Sequence, residues 1–215
     1  IYMCGFIGSA SIKNYVDQEW LINASKIIKH RGPDDYSHWI SKNRKVGLAH
    51  RRLSIIDLSE NARQPFFYCQ DKLGIVFNGE IYNFMFLKKE LEKKGFKFHS
   101  NSDTEVLLNS YKCWGYESLN KINGMFSFVI YDGYKNKIFG ARDIAGQKPF
   151  YYSMVKKTFL FGSDLQTISS NPIVRKRICM KSLDYYLSRG YTPLQNTLIK
   201  GVSKLPPGNA ISYDL

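Results

Sequence analysis

The second half of the chain alternates apolar and polar residues, and this pattern constrains the fold more than any other feature. Four short segments of this kind follow Gly124 at close spacing: Met125–Tyr131, Lys137–Ala141, Phe150–Ser153 and Thr158–Phe161. A period of two is typical of strands with one buried face, and such closely spaced strands pair antiparallel. The sequence therefore predicts a sheet rich in antiparallel strands.

The rest of the chain adds further strands and several helices. Runs of apolar and β-branched residues predict strands at Cys4–Ala10, Tyr36–Ile40, Lys45–Ile56, Leu73–Phe77 and Ala210–Tyr213. Helical spacing favours a helix from Trp20 to the Gly32-Pro33 stop, and others at Asn83–Lys94, from Ser102, at Asp164–Ser169 and at Ser182–Ser188. The mixture indicates an α+β fold with helices packed on the sheet faces.

Composition places the chain among ordinary globular proteins. With 215 residues, 44% hydrophobic and 23% charged, it is long enough for one domain with a real core. No apolar run approaches the ~20 residues of a membrane span, and the first ten residues lack the features of a secretory signal. Four scattered cysteines without a Cys-x-x-Cys pair argue against zinc, and we expect free thiols in a reducing cytoplasm.

The charge balance is strongly basic. Lys and Arg number 31 against 18 Asp and Glu, a net charge of +13, which favours acidic partners. The basic residues are scattered, however, and those in Lys88–Lys94 alternate with acidic ones, as on a solvated helix face. We therefore do not expect nucleic-acid binding. A non-enzymatic basic module, which would bind nucleic acid with a steep salt dependence, remains an alternative.

Several common catalytic motifs are missing from the sequence. It contains no Gly-x-Gly, no phosphate-binding P-loop, no Gly-x-Ser-x-Gly and no His-Glu-x-x-His. These absences give no support to a metalloenzyme or to a self-sufficient ATP-using enzyme. Few residues are left that could carry covalent chemistry.

One such residue is Cys4, near the chain start, in Met3-Cys4-Gly5-Phe6-Ile7-Gly8. On its own it could simply be a small residue in a buried strand. Alternatively it is a nucleophile that becomes the first residue, so that its own α-amine, with a pKa of about 7.7–8.0, acts as the base. That arrangement needs no histidine partner.

Eight further segments resemble one family, in the right order and over nearly the whole chain. They are Arg31–Asp34, Leu48–Asp57, Asn78–Asn83, Ser102–Glu105, Asn123–Phe128, Gly140–Asp143, Gly146–Tyr152 and Lys204–Gly208. With the chain start, they resemble the glutaminase domain of glutamine-dependent asparagine synthetases, which are class II (N-terminal-nucleophile) glutamine amidotransferases. Arg-Gly-Pro-Asp points to the asparagine synthetase branch of that class.

The resemblance implies a four-layer αββα sandwich of two antiparallel sheets, of the N-terminal nucleophile hydrolase type. It also implies that Cys4 attacks the side-chain amide of L-glutamine, giving a γ-glutamyl thioester and ammonia, and that water then releases glutamate. By similarity, the oxyanion donors are the Asn78 side chain and the Gly79 N–H. Without this context, Asn78-Gly79 would be interpreted as a hairpin turn.

The same resemblance assigns the groups that hold glutamine. Arg52 is the partner of the α-carboxylate, and Arg51 is excluded because it points to the other strand face. Asp103 and Glu80 supply negative charge for the α-ammonium, although Asp103 also fits a helix start. The pocket is further lined by the segment Leu53, Ser54, Ile55 and Ile56.

A mobile flap over bound glutamine is implied for Arg31, Gly32, Pro33 and Asp34. The alternative for these four residues is a turn that simply stops the preceding helix. The resemblance implies no metal and no cofactor for the glutaminase reaction.

Two features depart from the family pattern and shape the expected domains. Residues 1–3 precede Cys4 and block its amine, so we interpret them as a leader or vector remnant. Residues 4–190 form the amidotransferase domain. Residues 191–215 form its end and the start of a linker to a missing synthetase domain, which would use ATP and Mg. A sugar or peptide acceptor for the ammonia stays open as an alternative, as does a homodimer.

Overall fold

The computed structural model describes residues 3–54, 59–68 and 71–215. In this part of the chain there are eleven strands: β1 Gly5–Ser11, β2 Asp35–Ile40, β3 Val46–Arg52, β4 Phe66–Tyr68, β5 Leu73–Ile81, β6 Gly124–Asp132, β7 Lys137–Arg142, β8 Tyr151–Val155, β9 Thr158–Gly162, β10 Ser203–Lys204 and β11 Ala210–Asp214. The α-helices are α1 Gln18–Ile27, α2 Phe84–Lys93, α3 Asp103–Trp114, α4 Leu165–Ser169 and α5 Met180–Arg189. Short 3₁₀ turns occur at Glu60–Ala62 and Gly115–Asn120.

The strands form two sheets in which neighbouring strands run antiparallel. One sheet has six strands in the order β10-β8-β9-β1-β3-β2, and the other has five in the order β11-β7-β6-β5-β4. Strand β1, which follows Cys4, lies in the interior of the first sheet between β3 and β9. Strand β5 lies between β6 and β4 in the second sheet, and its segment Asn78-Gly79 pairs with β6 alone.

Three apolar clusters define the layers. Strands of both sheets contribute to the cluster between them, whose buried members include Phe6, Leu48, Val76, Val129 and Phe161. A second cluster packs α2 and α3 on the outer face of the five-stranded sheet. A third packs α1 and α4 on the outer face of the six-stranded sheet. The predicted four-layer αββα sandwich is confirmed.

The element boundaries differ from the prediction in a few places. Helix α1 ends at Ile27 rather than at Gly32-Pro33, because tight turns follow, with Lys29 N–H bonded to Lys26 O and Arg31 N–H bonded to Ile28 O. Strands β4 and β10 were not predicted, since segments of three and two residues carry no periodicity. Within the described residues, no helix has both the length and the apolarity needed to cross a bilayer.

Candidate active site

Alternation along three central strands brings the predicted site residues between the sheets. Side chains two apart in a strand share a face. Cys4, Arg52 and Asn78 therefore share a face with residues of the inter-sheet cluster, namely Phe6, Leu48 and Val76. The two sheets thus present Cys4 and Asn78 toward each other, although 74 positions separate them in the sequence.

A cavity opens at this end of the sandwich, beside Cys4, the end of β3, strand β5 and the start of α3. It is lined by Cys4, Arg52, Leu53, Ala62, Gln64, Phe77, Gly79, Glu80, Ser102, Asp103 and Thr104. Six of these residues were selected from the sequence: Cys4, Arg52, Leu53, Gly79, Glu80 and Asp103. The structure therefore brings most of the candidate site into one place.

The thiol of Cys4 is held by the backbone of Leu53. The Leu53 N–H donates to Cys4 Sγ at 3.3 Å, and the thiol can donate to Leu53 O at 3.5 Å. Burial raises the pKa of this thiol, while the Leu53 N–H and the nearby Arg52 and Lys148 lower it. The negative charge of Asp103 raises it further. A buried thiol of this kind needs a base close by if it is to react near neutral pH.

Asn78 has a donor that is ready for a ligand. The residue is 1% exposed, and its side-chain Nδ2 has no hydrogen-bond partner within the described residues. An unpaired buried amide costs free energy, so a bound acceptor at this position would be stabilising. The Asn78-Gly79 pair is not a hairpin turn, because both residues lie inside β5 and pair with β6.

The N–H of Gly79 points toward the cavity, as the hydrogen bonds on either side of it show. The Phe77 N–H donates to Gln64 Oε1 at 2.6 Å, and the Ile81 N–H donates to Asp103 Oδ2 at 3.0 Å. Alternate N–H groups of a strand point to the same side. The Gly79 N–H therefore lies between these two bonds and faces the space that Gly79 itself lines.

The absence of a side chain at Gly79 allows a close contact between two strands. A Cβ atom there would lie 2.2 Å from Met125 O and 2.7 Å from Phe126 Cα, both backbone atoms of β6. The glycine is thus required for the close approach of β5 and β6.

Arg51 and Arg52 point in opposite directions, as neighbours in a strand do. Arg52 is 8% exposed, lines the cavity and donates through Nη1 to Ser59 O at 2.9 Å. Arg51 instead donates to Ser25 O at 3.2 Å, with its guanidinium 4.5 Å from the ring of Tyr36. Only Arg52 is therefore placed to meet a ligand in the cavity.

Asp103 brings negative charge to the same cavity. Burial is the main cause that raises the pKa of this carboxyl to about 6, and Glu80 raises it further. The N–H groups of Ile81 and Thr104 act in the opposite direction. With Arg52 and Glu80, the cavity lining carries both a cation and carboxyl groups, which suits a small molecule with a carboxylate and an ammonium.

The segment Arg31–Asp34 does not line the cavity but braces the strands around it. Arg31 Nε donates to Cys4 O at 3.2 Å, and the Ser54 N–H donates to Asp34 Oδ2 at 2.8 Å. Gly32 packs against the β3 backbone, where a Cβ would lie 2.4 Å from Arg51 C. Pro33 is exposed. The flap role predicted for these residues stays a prediction.

Two other predicted residues, Ile55 and Ile56, lie outside the described residues. Sequence reasoning also missed five residues of the lining: Ala62, Gln64, Phe77, Ser102 and Thr104. Gln64 is notable among them because it accepts from Phe77 N–H and donates to Thr104 Oγ1 at 3.1 Å. No group of three or more His, Cys, Asp or Glu suited to a metal occurs within the described ranges.

Comparison with known proteins agrees with this geometry. A family model described as a glutamine amidotransferase domain matches residues 3–214. Asparagine synthetase [glutamine-hydrolyzing] 1 of Bacillus subtilis is 39% identical over 96% of this chain, and the match covers 33% of that protein. Amidase chry2 of Gibberella zeae is 35% identical over 89% of this chain and 28% of its own length. The chain thus spans about a third of the length of these relatives.

Solved structures give the same picture of the fold. Glutamine phosphoribosylpyrophosphate amidotransferase of B. subtilis, complexed with ADP and GMP, superposes with a TM-score of 0.70 at 19% identity. The match covers 98% of this chain and 47% of that one. That structure shares the four-layer fold of this chain, as the family resemblance of the sequence implied. This chain belongs to the glutamine amidotransferase domain family, and its relatives include glutamine-hydrolysing asparagine synthetases.

Proposed function

We propose that this chain, once it begins at Cys4, hydrolyses L-glutamine to L-glutamate and ammonia through a thioester on Cys4. The observation that carries the proposal is the shared cavity of Cys4, Arg52, Gly79 and Asp103. Hydrolysis of an α-amino acid amide requires these groups. The thiol is the nucleophile, the N–H that faces the cavity stabilises the oxyanion, and the guanidinium and the carboxyl group bind the substrate.

The reaction begins with proton transfer within one residue. The Sγ–H proton of Cys4 moves to its own α-amine, and the thiolate attacks the side-chain carbonyl carbon of glutamine. The oxyanion is stabilised by Asn78 Nδ2, which has no other partner within the described residues, and by the Gly79 N–H. The α-ammonium returns its proton to the leaving nitrogen as ammonia departs. Water then attacks the thioester and releases glutamate, which restores the thiol.

Arg52 and Asp103 orient the substrate. In this proposal Arg52 binds the α-carboxylate, while Asp103, assisted by Glu80, binds the α-ammonium. Leu53 and Ser54 supply backbone at the cavity edge beside the thiol that Leu53 holds. No cofactor is proposed for this reaction.

The acceptor of the ammonia lies outside this chain in the proposal. We propose an asparagine synthetase domain that uses ATP and Mg, because relatives of that name are 35–39% identical to the chain while being about three times as long. A second candidate is a domain that amidates another acceptor, such as a sugar or a peptide. It is favoured by the similarity to amidase chry2, which is named as an amidase and not as a synthetase.

Glutamate release from glutamine tests the proposal. The protein is prepared with Cys4 as its first residue and compared with the Cys4→Ala variant and with the chain that retains Met3. We expect activity in the first alone, because the Cys4 nitrogen is an amide when Met3 is attached. Equal rates for the first protein and Cys4→Ala would overturn the proposal.

A further inference from the structure

Lys148 is a buried cation with an unusual partner. It lies in the loop between β7 and β8 and is 7% exposed. Its Nζ contacts Met3 Sδ at 3.1 Å, and no carboxylate of the described residues forms an ion pair with it. A thioether is a weak acceptor, and a buried charge without a strong partner is costly. Such a cost indicates a role other than stability.

The loop that carries Lys148 is fixed by the carboxylate of Asp143. That group is 1% exposed and accepts from the backbone N–H groups of Phe126, Ala145, Gln147 and Lys148. Arg142 Nε donates to Lys148 O at 2.6 Å as well. The backbone beneath the ammonium is therefore held at residue 148 itself.

The ammonium contacts the side chain of the residue that directly precedes Cys4. Met3 is bonded directly to the nitrogen of Cys4, so Lys148 lies near the place where the chain would start after removal of Met3. Lys148 also acts electrostatically on the Cys4 thiol, and burial together with the nearby Arg31 lowers the pKa of Lys148. The negative charges that act on Lys148 are those of Cys4, Asp143 and Glu80.

The charges around Cys4 come from five elements. Arg31, in the turn after α1, donates to Cys4 O, and Arg52 at the end of β3 and Lys148 in its loop act on the thiol. The acid that faces it is Asp103, at the start of α3. A fifth element, β5, contributes the carboxyl group of Glu80 to the same cavity. The excess of cations over carboxyl groups favours a thiolate and disfavours a second positive charge on the same residue.

We propose that Lys148 is a positioning residue whose ammonium keeps the α-amine of Cys4 uncharged and stabilises the Cys4 thiolate. This inference rests on the function proposed above. A like charge nearby makes protonation of the amine less favourable, so more of the enzyme holds the free base near neutral pH. The thiol and the amine titrate together, and removal of the cation moves the titration of the pair to higher pH.

Alkylation of Cys4 by iodoacetamide tests this without any use of glutamine. The rate is measured against pH in protein that begins at Cys4, by mass spectrometry of the amino-terminal peptide. Four proteins are compared: unsubstituted, Lys148→Met, Lys148→Arg and, as a matched loss of one exposed charge on α2, Lys89→Met. We expect Lys148→Met to move the half-maximal rate upward by about one pH unit. Lys148→Arg and Lys89→Met should remain close to the unsubstituted profile.

Two results would overturn the inference. One is a Lys148→Met profile that coincides with the unsubstituted one. The other is an equal shift in Lys148→Met and Lys148→Arg, which would show that the shape of the side chain matters rather than its charge. Should Lys148→Met fail to fold, Lys148→Gln carries the same test. Failure of the unsubstituted protein to hydrolyse glutamine would refute the proposed function instead, because alkylation reports on Lys148 independently.

Discussion

The two halves of strand β5 differ sharply in their hydrogen bonding and packing. In the first half, Leu73–Phe77, Leu73, Ile75, Val76 and Phe77 are at most 3% exposed and belong to the apolar clusters on the two faces of the sheet. In the second half, Asn78–Ile81, Asn78 has an unpaired donor within the described chain, and Gly79 and Glu80 line the cavity. One continuous strand thus combines a packed segment with a segment prepared for a ligand.

The difference shows how the unpaired hydrogen-bond donor of Asn78 is held in place. An unsatisfied amide would turn toward any acceptor if its backbone were free, but β5 pairs with β6 along its full length. The burial of the first half and this pairing therefore hold the second half in place although the Asn78 donor has no partner in the described chain. Substitutions in the two halves should accordingly separate stability from catalysis.

The largest effect is expected from Gly79→Ala. Its Cβ would collide with the backbone of Met125, so we expect a loss of about 3 kcal/mol or more in unfolding free energy. The displaced N–H should lower kcat by about 10²–10³ as well. Denaturant unfolding and glutamate release measure the two effects.

Gly74→Ala is the matched change in the other half of β5. Its Cβ would meet the ring of Phe67, a side chain rather than backbone. We expect a smaller loss of stability and an unchanged kcat in the folded protein. A Gly74→Ala variant as inactive as Gly79→Ala would contradict the division of the strand.

Asn78→Ala should affect catalysis alone. Removal of one oxyanion donor lowers kcat by about 10²–10³, while loss of an unpaired buried amide leaves the melting temperature unchanged or slightly higher. Ile75→Ala should do the reverse, with about 2–5 kcal/mol lost in stability and kcat retained. Parallel losses of stability in both variants would argue against a ligand-ready Asn78.

Asp103→Asn should weaken substrate binding. Loss of the charge–charge contact with the substrate ammonium should raise KM by about 10–100-fold. The raised pKa of Asp103, about 6, means that the carboxylate is protonated as the pH falls below that value. We therefore expect KM of the unsubstituted protein to rise below about pH 6. KM of Asp103→Asn should lack that rise, and an identical pH dependence in both proteins would exclude the assigned role.

Glu80→Gln should have the smallest effect. The residue is half-buried and remains in contact with water, so its charge should contribute at most about 1 kcal/mol, or fivefold in KM. The measurement is KM for glutamine at low and high salt. If Glu80→Gln raised KM more than Asp103→Asn does, Glu80 and not Asp103 would be the main partner of the substrate ammonium.

The layers of the fold could be predicted because they depend on alternation and on family motifs that lie in order along the chain. Residues of β6 and β9 form short, largely apolar runs that are buried at most or all positions, and the predicted strands match. The two-residue β10 could not be predicted, because its pairing depends on Ser203 lying opposite Tyr152 in space. Tertiary contacts, not local preference, define such a strand.

Sequence reasoning selected residues that carry a charge or sit in a motif, and Arg52 and Asp103 are among those that line the cavity. It missed Gln64, since a neutral amide before a proline gives no chemical signal in the sequence. Its function becomes visible only when its Oε1 is seen to accept from Phe77 N–H. Lys148 was included only as part of a motif, and its burial against the chain start is a property of the folded protein.

The side chain of His50, on β3, joins the two sheets near the positions of Cys4 and Asn78. Its Nε2 lies 3.0 Å from Phe77 O, and burial is the main cause that lowers its pKa to about 4. The unfolded chain therefore takes up this proton more readily, and stability falls as the pH drops from about 6.5 toward 4. Acid therefore weakens the fold at a contact that joins the two sheets next to the strand segment that carries Asn78.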